Sequence, residues 1–312
     1  MAQPTITGST FAGKAAGFYI SAALKEAKSI DFLTLMENVK FKSVIQKMSH
    51  GADADGHGVV RDATCDFEKN GKLELTEKVL QVKDLQINMD LCTNNLLSSW
   101  EALQMRAGAG SPPPASFDDY VISYMGEIIA NHVENNIWTG TGATNGEFEG
   151  FLTATTGRFA TDGTVNADAA TGSPYDAGNI IENLQSLTAA MASNLNSALT
   201  KDDLYIYMNA KTYALYISAV STLGYVNAYN MNGDYEPVFE GYKIAVCPGM
   251  PNNQMVAAER SNLFLGADLL SDSTRISMLD MSKLDGSSNI RVVAKYAMGV
   301  QLGVGADIVH QS

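Results

Sequence analysis

Four carboxylates, an amide and a glycine between residues 66 and 77 have the spacing most suggestive of chemistry. Asp66, Glu68, Asn70, Glu74 and Glu77 fall at positions 1, 3, 5, 9 and 12 of a twelve-residue frame, with Gly71 at position 6 and Leu73 at position 8. Oxygen donors so placed are what an EF-hand loop presents to calcium, a hard cation. Such a loop needs a helix on each side. Upstream, Gly56-His-Gly-Val-Val60 offers glycines and β-branched residues and no helical apolar stripe. Asn70–Gly71 serves a two-residue hairpin equally well, because both residues tolerate positive φ. The hairpin is the reading adopted, and a calcium-binding protein using the Asp66–Glu77 loop is a distant alternative.

Other constellations fall short of a site. Gly8-x-x-x-x-Gly13-Lys14 copies most of a phosphate-cradling loop, but Ala15 stands where a hydroxyl must hold magnesium. Only seven residues precede Gly8, too few for the buried strand that normally leads into such a loop. His50, His57, His132 and His310 lack metal spacing, and His132 lies on the apolar side of a predicted helix. Cys65, Cys92 and Cys247 are odd in number with no C-x-x-C pair, so neither a disulfide framework nor a zinc site is signalled. No G-x-S-x-G elbow or H-E-x-x-H helix occurs; a Cys–His pair assembled by folding stays open. The expectation is a protein that is not an enzyme, with no catalytic, cofactor-binding or metal residues and no cofactor.

Composition narrows the partners. A net charge of −13 over 312 residues argues against a surface built to neutralise phosphates, so nucleic acid would be contained rather than gripped. The tyrosines at 205, 207, 213, 216, 225, 229 and 235 have few basic neighbours, which places them in a core or subunit interface rather than on a base-stacking platform. With 46% hydrophobic residues the chain can build a large core. It has no apolar run of membrane length and no signal pattern, and reads as soluble and unsecreted.

The elements that would position these residues are uneven in character. Residues 43–91 read as a long extended arm, with alternation at Leu85, Ile87, Met89 and Leu91. Reversal at Asn70–Gly71 would set Phe67 opposite Glu74 and Asp66 opposite Leu75, leaving neither face of the tip cleanly apolar. Each limb would reach roughly 60 Å, beyond a compact body whose radius of gyration is about 20 Å. The arm's partners are therefore expected to be other molecules. Residues 18–28 and 93–106 read as helical, and Ser29 as the cap of a turn starting at Ile30. Ser116 opens the best helix, with Val121, Met125, Ile128, Ile129, His132, Val133 and Ile137 as its stripe. Glycines 140, 142 and 146 end it. Residues 153–178 read as a mobile surface connection, with a second helix starting at Ser173-Pro174. Strands are expected at 204–208, 242–246 and 255–258, a helix at 210–220, and period-two strands from 276 to 304. The sum is an interleaved α+β body with protruding arms.

At the long helix a family resemblance emerges. Glu127-Ile-Ile-Ala-Asn-His-Val-Glu-Asn-Asn-Ile-Trp138, followed by the glycine turn to Gly150-Phe-Leu, resembles the spine helix of tailed-phage major capsid proteins with the Hong Kong 97 fold. Glu236-Pro-Val-Phe-Glu-Gly-Tyr-Lys-Ile-Ala-Val246 resembles a strand of that fold's axial domain. Asn262-Leu-Phe-Leu-Gly-Ala-Asp268 is similar to its late strand, and Ile290 to Leu302 to the closing strand of the peripheral domain. Each pattern is loose, but their order spans nearly the whole chain.

The resemblance implies an N-terminal arm (1–42), an extended loop with a β-hairpin (43–86), a peripheral domain (87–170 and 271–302) and an axial domain (171–270 and 303–312). It implies a virion shell protein, assembled in the bacterial host cytoplasm from pentamers and hexamers into an icosahedral capsid around double-stranded phage DNA. An encapsulin-like nanocompartment shell on the same fold is the alternative. The implied partners are many copies of itself, with separate scaffolding, portal and decoration proteins, and no membrane. The chain begins almost at the arm, which sets the expectation of a separate scaffolding protein, or none, and no motif supports covalent cross-linking.

Overall fold

A computed structural model describes residues 10–12, 27–51, 60, 65, 71–92, 117–170, 174–195, 202–222, 237–268, 275–281, 286–287 and 289–312. In chain order the strands are β1 (Thr10–Ala12), β2 (Thr34–Glu37), β3 (Lys42–Gly51), β4 (Lys72–Gln81) and β5 (Lys83–Cys92). Helices α1 (Phe117–Thr139) and α2 (Arg158–Asp162) then precede β6 (Asn166–Asp168), α3 (Ile180–Asn194), β7 (Leu204–Met208) and α4 (Ala210–Thr222). The rest are β8 (Val238–Phe239), β9 (Tyr242–Val246), β10 (Met255–Glu259), β11 (Leu263–Asp268), β12 (Arg275–Asp280), β13 (Asn289–Leu302) and β14 (Ile308–Gln311).

The strands form two six-stranded sheets and a separate two-stranded ribbon. The first sheet runs β1-β12-β13-β11-β2, with β5 on the other side of β13. It is organised by β13, whose 14 residues alternate so that Ile290, Val292, Ala294 and Tyr296 point inward. Helix α1 covers that inner face. Val121, Met125, Ile129, Val133 and Ile137 recur every four residues and share a core with β13, β5 and β12. Ile128 and His132 of the expected stripe are half-buried at its margin, where the His132 ring meets Asn136 Nδ2 at 2.9 Å.

The second sheet runs β6-β14-β10-β7-β9-β8, and its central strands β14, β10 and β7 are buried on both faces. In β10, Val256 and Ala258 join the core shared with α1, while Met255 and Ala257 face the core formed by α3 and α4. A strand covered on both sides reads as an unbroken apolar run, as β10 does. Tyr207 on β7 is fully buried and donates its hydroxyl to the Phe32 carbonyl at 2.8 Å, while Tyr225, Tyr229 and Tyr235 lie outside the described residues.

Several expectations are corrected. The predicted connection 153–178 contains α2, whose Phe159 is buried, and the edge strand β6. The second helix starts at Ile180 rather than Ser173-Pro174. Asp176 Oδ1 accepts the amides of Gly178 (2.7 Å) and Asn179 (2.9 Å), a local turn that delays it. The turn at Ile30 is a 3-10 helix over Lys28–Phe32, and Ser29 does not cap it. The predicted helices 18–28 and 93–106 lie outside the described residues, apart from Ala27 and Lys28.

Strand β5 is no part of a free arm, since it pairs along its whole length with β13, from Lys83↔Met298 to Cys92↔Asn289. The reversal also lies elsewhere. β4 pairs with β3, from Lys72↔Gly51 to Gln81↔Lys42, so Glu74 lies opposite Ser49 and Leu75 opposite Met48. Gly71, just before β4, has the positive φ expected of it, 68°, while Asp66, Phe67 and Asn70 lie outside the described residues.

Candidate functional site

The ribbon β3–β4 and its root are the feature that a self-contained protein does not explain. Opposed residues of an antiparallel pair share a face, so Val44 with Val79 and Met48 with Leu75 lie on one face, the hydrogen-bonded Gln46–Glu77 pair between them and Leu73 beyond. These five apolar side chains are 43–70% exposed. The opposite face carries Lys47 opposite Thr76 and packs only near the root through Ile45 and Leu80. The ribbon thus turns two apolar cross-strand pairs and Leu73 to solvent. Covering them would contribute about 1 kcal/mol or more per residue.

The root is held firmly. Gly266 and Gly299 are register partners on β11 and β13. A Cβ at Gly299 would lie 2.2 Å from the Gln81 carbonyl oxygen, and one at Gly266 would lie 2.6 Å from Leu80 Cδ2. The paired glycines therefore form a notch into which the end of β4 sinks, with Leu80, Val82, Val39 and Ala297 as a small core. Gln301 Nε2 donates to the Val79 carbonyl at 2.8 Å, and the Val82 amide to the Phe41 carbonyl at 3.1 Å. Lys78 forms an ion pair with Asp162 at the end of α2. Partial burial works to raise the Asp162 pKa, but hydrogen bonds from Lys78 and Thr164 outweigh it and hold the carboxyl below its ordinary value.

Beside the root runs the glycine turn that ends α1. Lys83 donates to the Gly142 and Glu147 carbonyls at 2.9 and 2.7 Å. The Glu147 carboxylate accepts from the Thr141 hydroxyl and amide, which lowers its pKa. Gly140 is required here, because a Cβ would sit 2.1 Å from the Phe148 carbonyl oxygen. The turn and the ribbon root bound a cleft of about 450 Å³ lined by Lys42, Val79, Lys83, Phe148, Glu149 and Arg158, among others.

Among the described residues, a buried constellation around Glu134 that includes catalytic residue types is a structural tie. Glu134 of α1 accepts from the Ser29 amide (3.0 Å), the Ser29 hydroxyl (2.5 Å) and the Gly249 amide (3.0 Å). Ser29 Oγ in turn accepts from Trp138 Nε1 at 2.8 Å. The carboxylate joins three distant segments and its partners have their hydrogen bonds made, which is how a buried charge is tolerated. Neighbouring Cys247 is buried, and burial pushes its thiol pKa well up, away from nucleophilic use. Sequence reasoning missed this tie, since its members are 105 or more residues from Ser29.

The calcium-loop residues do not assemble as that motif requires. Positions 7 to 12 of the frame are the extended strand from Lys72 to Glu77, and Glu77 accepts from Gln46 Nε2 across the ribbon at 3.2 Å. An EF-hand loop leads into a helix at position 12, and here position 12 lies within a strand. Asp66, Glu68 and Asn70 themselves lie outside the described residues, as does the Gly8–Lys14 motif except for β1. Among the described residues no group of three or more His, Cys, Asp or Glu side chains could hold a metal ion, and no helix is long and apolar enough to cross a membrane.

No family model matches the sequence, and no curated protein matches it either. Solved structures do. A chain of the capsid of an empty GTA particle aligns over 92% of this chain and 89% of its own, with TM-score 0.59 and 13% identity. The satellite phage P4 procapsid including the size determination (Sid) protein supplies a chain with TM-score 0.61 and 12% identity, over 100% of this chain and 92% of that one. A virus-like particle from Pyrococcus furiosus matches at TM-score 0.52 and 11% identity, over 96% and 99%. Likeness at such identities fixes the fold. The chain is a mixed α+β protein with the phage-capsid fold of the Hong Kong 97 type, as the order of its sequence patterns had implied.

Proposed function

We propose that this protein is the major capsid protein of a tailed phage, assembling through pentamers and hexamers into an icosahedral shell around double-stranded DNA. The observation that carries the reading is the ribbon, which on the fold of shell proteins presents apolar cross-strand pairs to solvent. A monomer gains nothing from Val44, Met48, Leu73, Leu75 and Val79 so placed. A neighbouring copy that covers them gives the obligate, apolar contact of a permanent assembly.

In this reading residues 1–42 are an arm, 43–86 the extended loop, 87–170 with 271–302 the peripheral domain, and 171–270 with 303–312 the axial domain. The net charge of −13 accords with a wall that encloses DNA without binding it, leaving packaging to a motor. The role is structural and not enzymatic. Scaffolding, portal and decoration proteins would be separate partners, and assembly would take place in the host cytoplasm.

Negative-stain microscopy of the purified protein tests this. Closed shells of uniform size are expected, and a monodisperse monomer at every concentration would overturn it. A second reading is an encapsulin-like shell around protein cargo on the same fold, and the match to a virus-like particle from Pyrococcus furiosus is compatible with either content. Nucleic acid in shells from the native source supports the first reading, and a co-purifying enzyme supports the second.

A further inference from the structure

The cleft between the ribbon root and the glycine turn gathers cations on a chain of net charge −13. Lys42 comes from the start of β3, Lys83 from the start of β5 and Arg158 from the start of α2. Against them the described lining sets a single carboxylate, Glu149, which pairs with Arg158 Nη2 at 2.9 Å. Neither lysine meets a carboxylate among the described residues. Lys83 donates to two backbone carbonyls, and Lys42 stands exposed with its ammonium 5.1 Å from the Phe41 ring centroid. Glu147 nearby turns its carboxylate to Thr141. Three cations against one carboxylate leave the cleft with two positive charges.

Two of the three cations are fixed in place before any ligand arrives. The Gly142 and Glu147 carbonyls hold the Lys83 ammonium at 2.9 and 2.7 Å, and the Val300 carbonyl holds Arg158 Nε at 3.0 Å. Carbonyl oxygens satisfy these donors without cancelling their charge. Buried Val82 and Phe148 supply apolar walls, and a cleft of one charge sign with low-dielectric walls concentrates its field. Its volume, about 450 Å³, is that of a small-molecule site. We infer that the cleft binds a small multivalent oxyanion of the pyrophosphate class. The third donor of Lys83, the Lys42 ammonium and the Nη1 group of Arg158 are the donors left to meet its oxygens.

The three cations stand on three elements, so the bound ion ties the ribbon to the strand that follows it and to α2. Occupancy then sets how firmly the root is seated in its notch. The site lies within one subunit, and the inference stands apart from the shell reading. Because the cleft is open to solvent at Lys42, binding weakens with salt.

The test is thermal melting of the full-length chain in rising sodium pyrophosphate, with sodium chloride keeping the ionic strength constant. The melting temperature should rise and saturate, with half-saturation at about 1 mM or below. Lys42→Met should weaken that affinity about tenfold, the usual effect of losing one charge-assisted hydrogen bond. Glu149→Gln removes the competing carboxylate and frees Arg158, so it should tighten binding about tenfold, a gain that misfolding cannot imitate. No saturable rise, or an affinity that ignores both substitutions, overturns the inference. If Lys42→Met does not fold, Glu149→Gln decides alone, and an unchanged or weaker affinity there overturns it. Particles that assemble yet show no response to pyrophosphate would remove this inference and leave the shell reading standing.

Discussion

The ribbon β3–β4 and the second sheet are built from similar alternating, β-branched and apolar residues, yet they spend them in opposite ways. In the sheet, Leu204, Ile206, Met208, Met255 and Ala257 close against α3 and α4 with 3% exposure or less. In the ribbon, Met48 and Leu73 stand 68% and 70% exposed. The sheet completes its burial within one chain, and the ribbon does not. Substitutions in the sheet should therefore be felt in the stability of a single subunit, and substitutions in the ribbon in association.

The sharpest way to break that contrast is Met48→Glu with Leu75→Glu. Charging these exposed apolar cross-strand partners is expected to abolish particles in sedimentation or microscopy, while the subunit's melting temperature moves by no more than about 2 °C. A large drop in melting temperature would mean that the ribbon serves its own chain. The converse substitution is Trp138→Ala. It empties a site at 0% exposure and removes the hydrogen bond that Ser29 Oγ accepts, so a loss of about 3–5 kcal/mol is expected in denaturant unfolding of the subunit.

Between the two regions lies the glycine notch. Gly299→Val should cost about 1–3 kcal/mol through overpacking and displace the ribbon root from β13. Particle yield should then fall more than stability alone accounts for.

The smallest effect belongs to His310. Burial lowers its pKa below the ordinary 6.5, so the folded state prefers the neutral ring. The stability held by that preference is complete above pH 6.5 and declines as the pH falls toward the folded value. Thermal melts from pH 7 to pH 5 should show this slope, and His310→Leu should flatten it.

Much of the fold was legible because its signals are local. Helix α1 over Phe117–Thr139 follows from a stripe at helical spacing and a glycine stop. The strands Leu204–Met208 and Tyr242–Val246 follow from apolar runs bounded by turn residues. The ribbon's exposed apolar pairs were not legible, for a physical reason. Asn70–Gly71 is the strongest nearby turn signal, but strand pairing is decided by the whole ladder, and Lys72–Gln81 pairs with Lys42–Gly51 across twenty intervening residues. Nothing within Lys72–Gln81 specifies that partner. With the reversal misplaced, the face shared by Val44, Met48, Leu75 and Val79 could not be seen. The Gly266–Gly299 notch was hidden likewise, because each glycine reads alone as a weak spot in a strand and only their pairing beneath Leu80 and Gln81 gives them a purpose.

Amide hydrogen exchange of the ribbon, compared between free subunit and assembled particle, tests most directly whether this chain finishes its burial on another copy. Lys42–Gly51 and Lys72–Gln81 should exchange at least about tenfold more slowly in the particle, while β7 and β10 stay equally slow in both states. Equal ribbon rates in the two states would contradict the account.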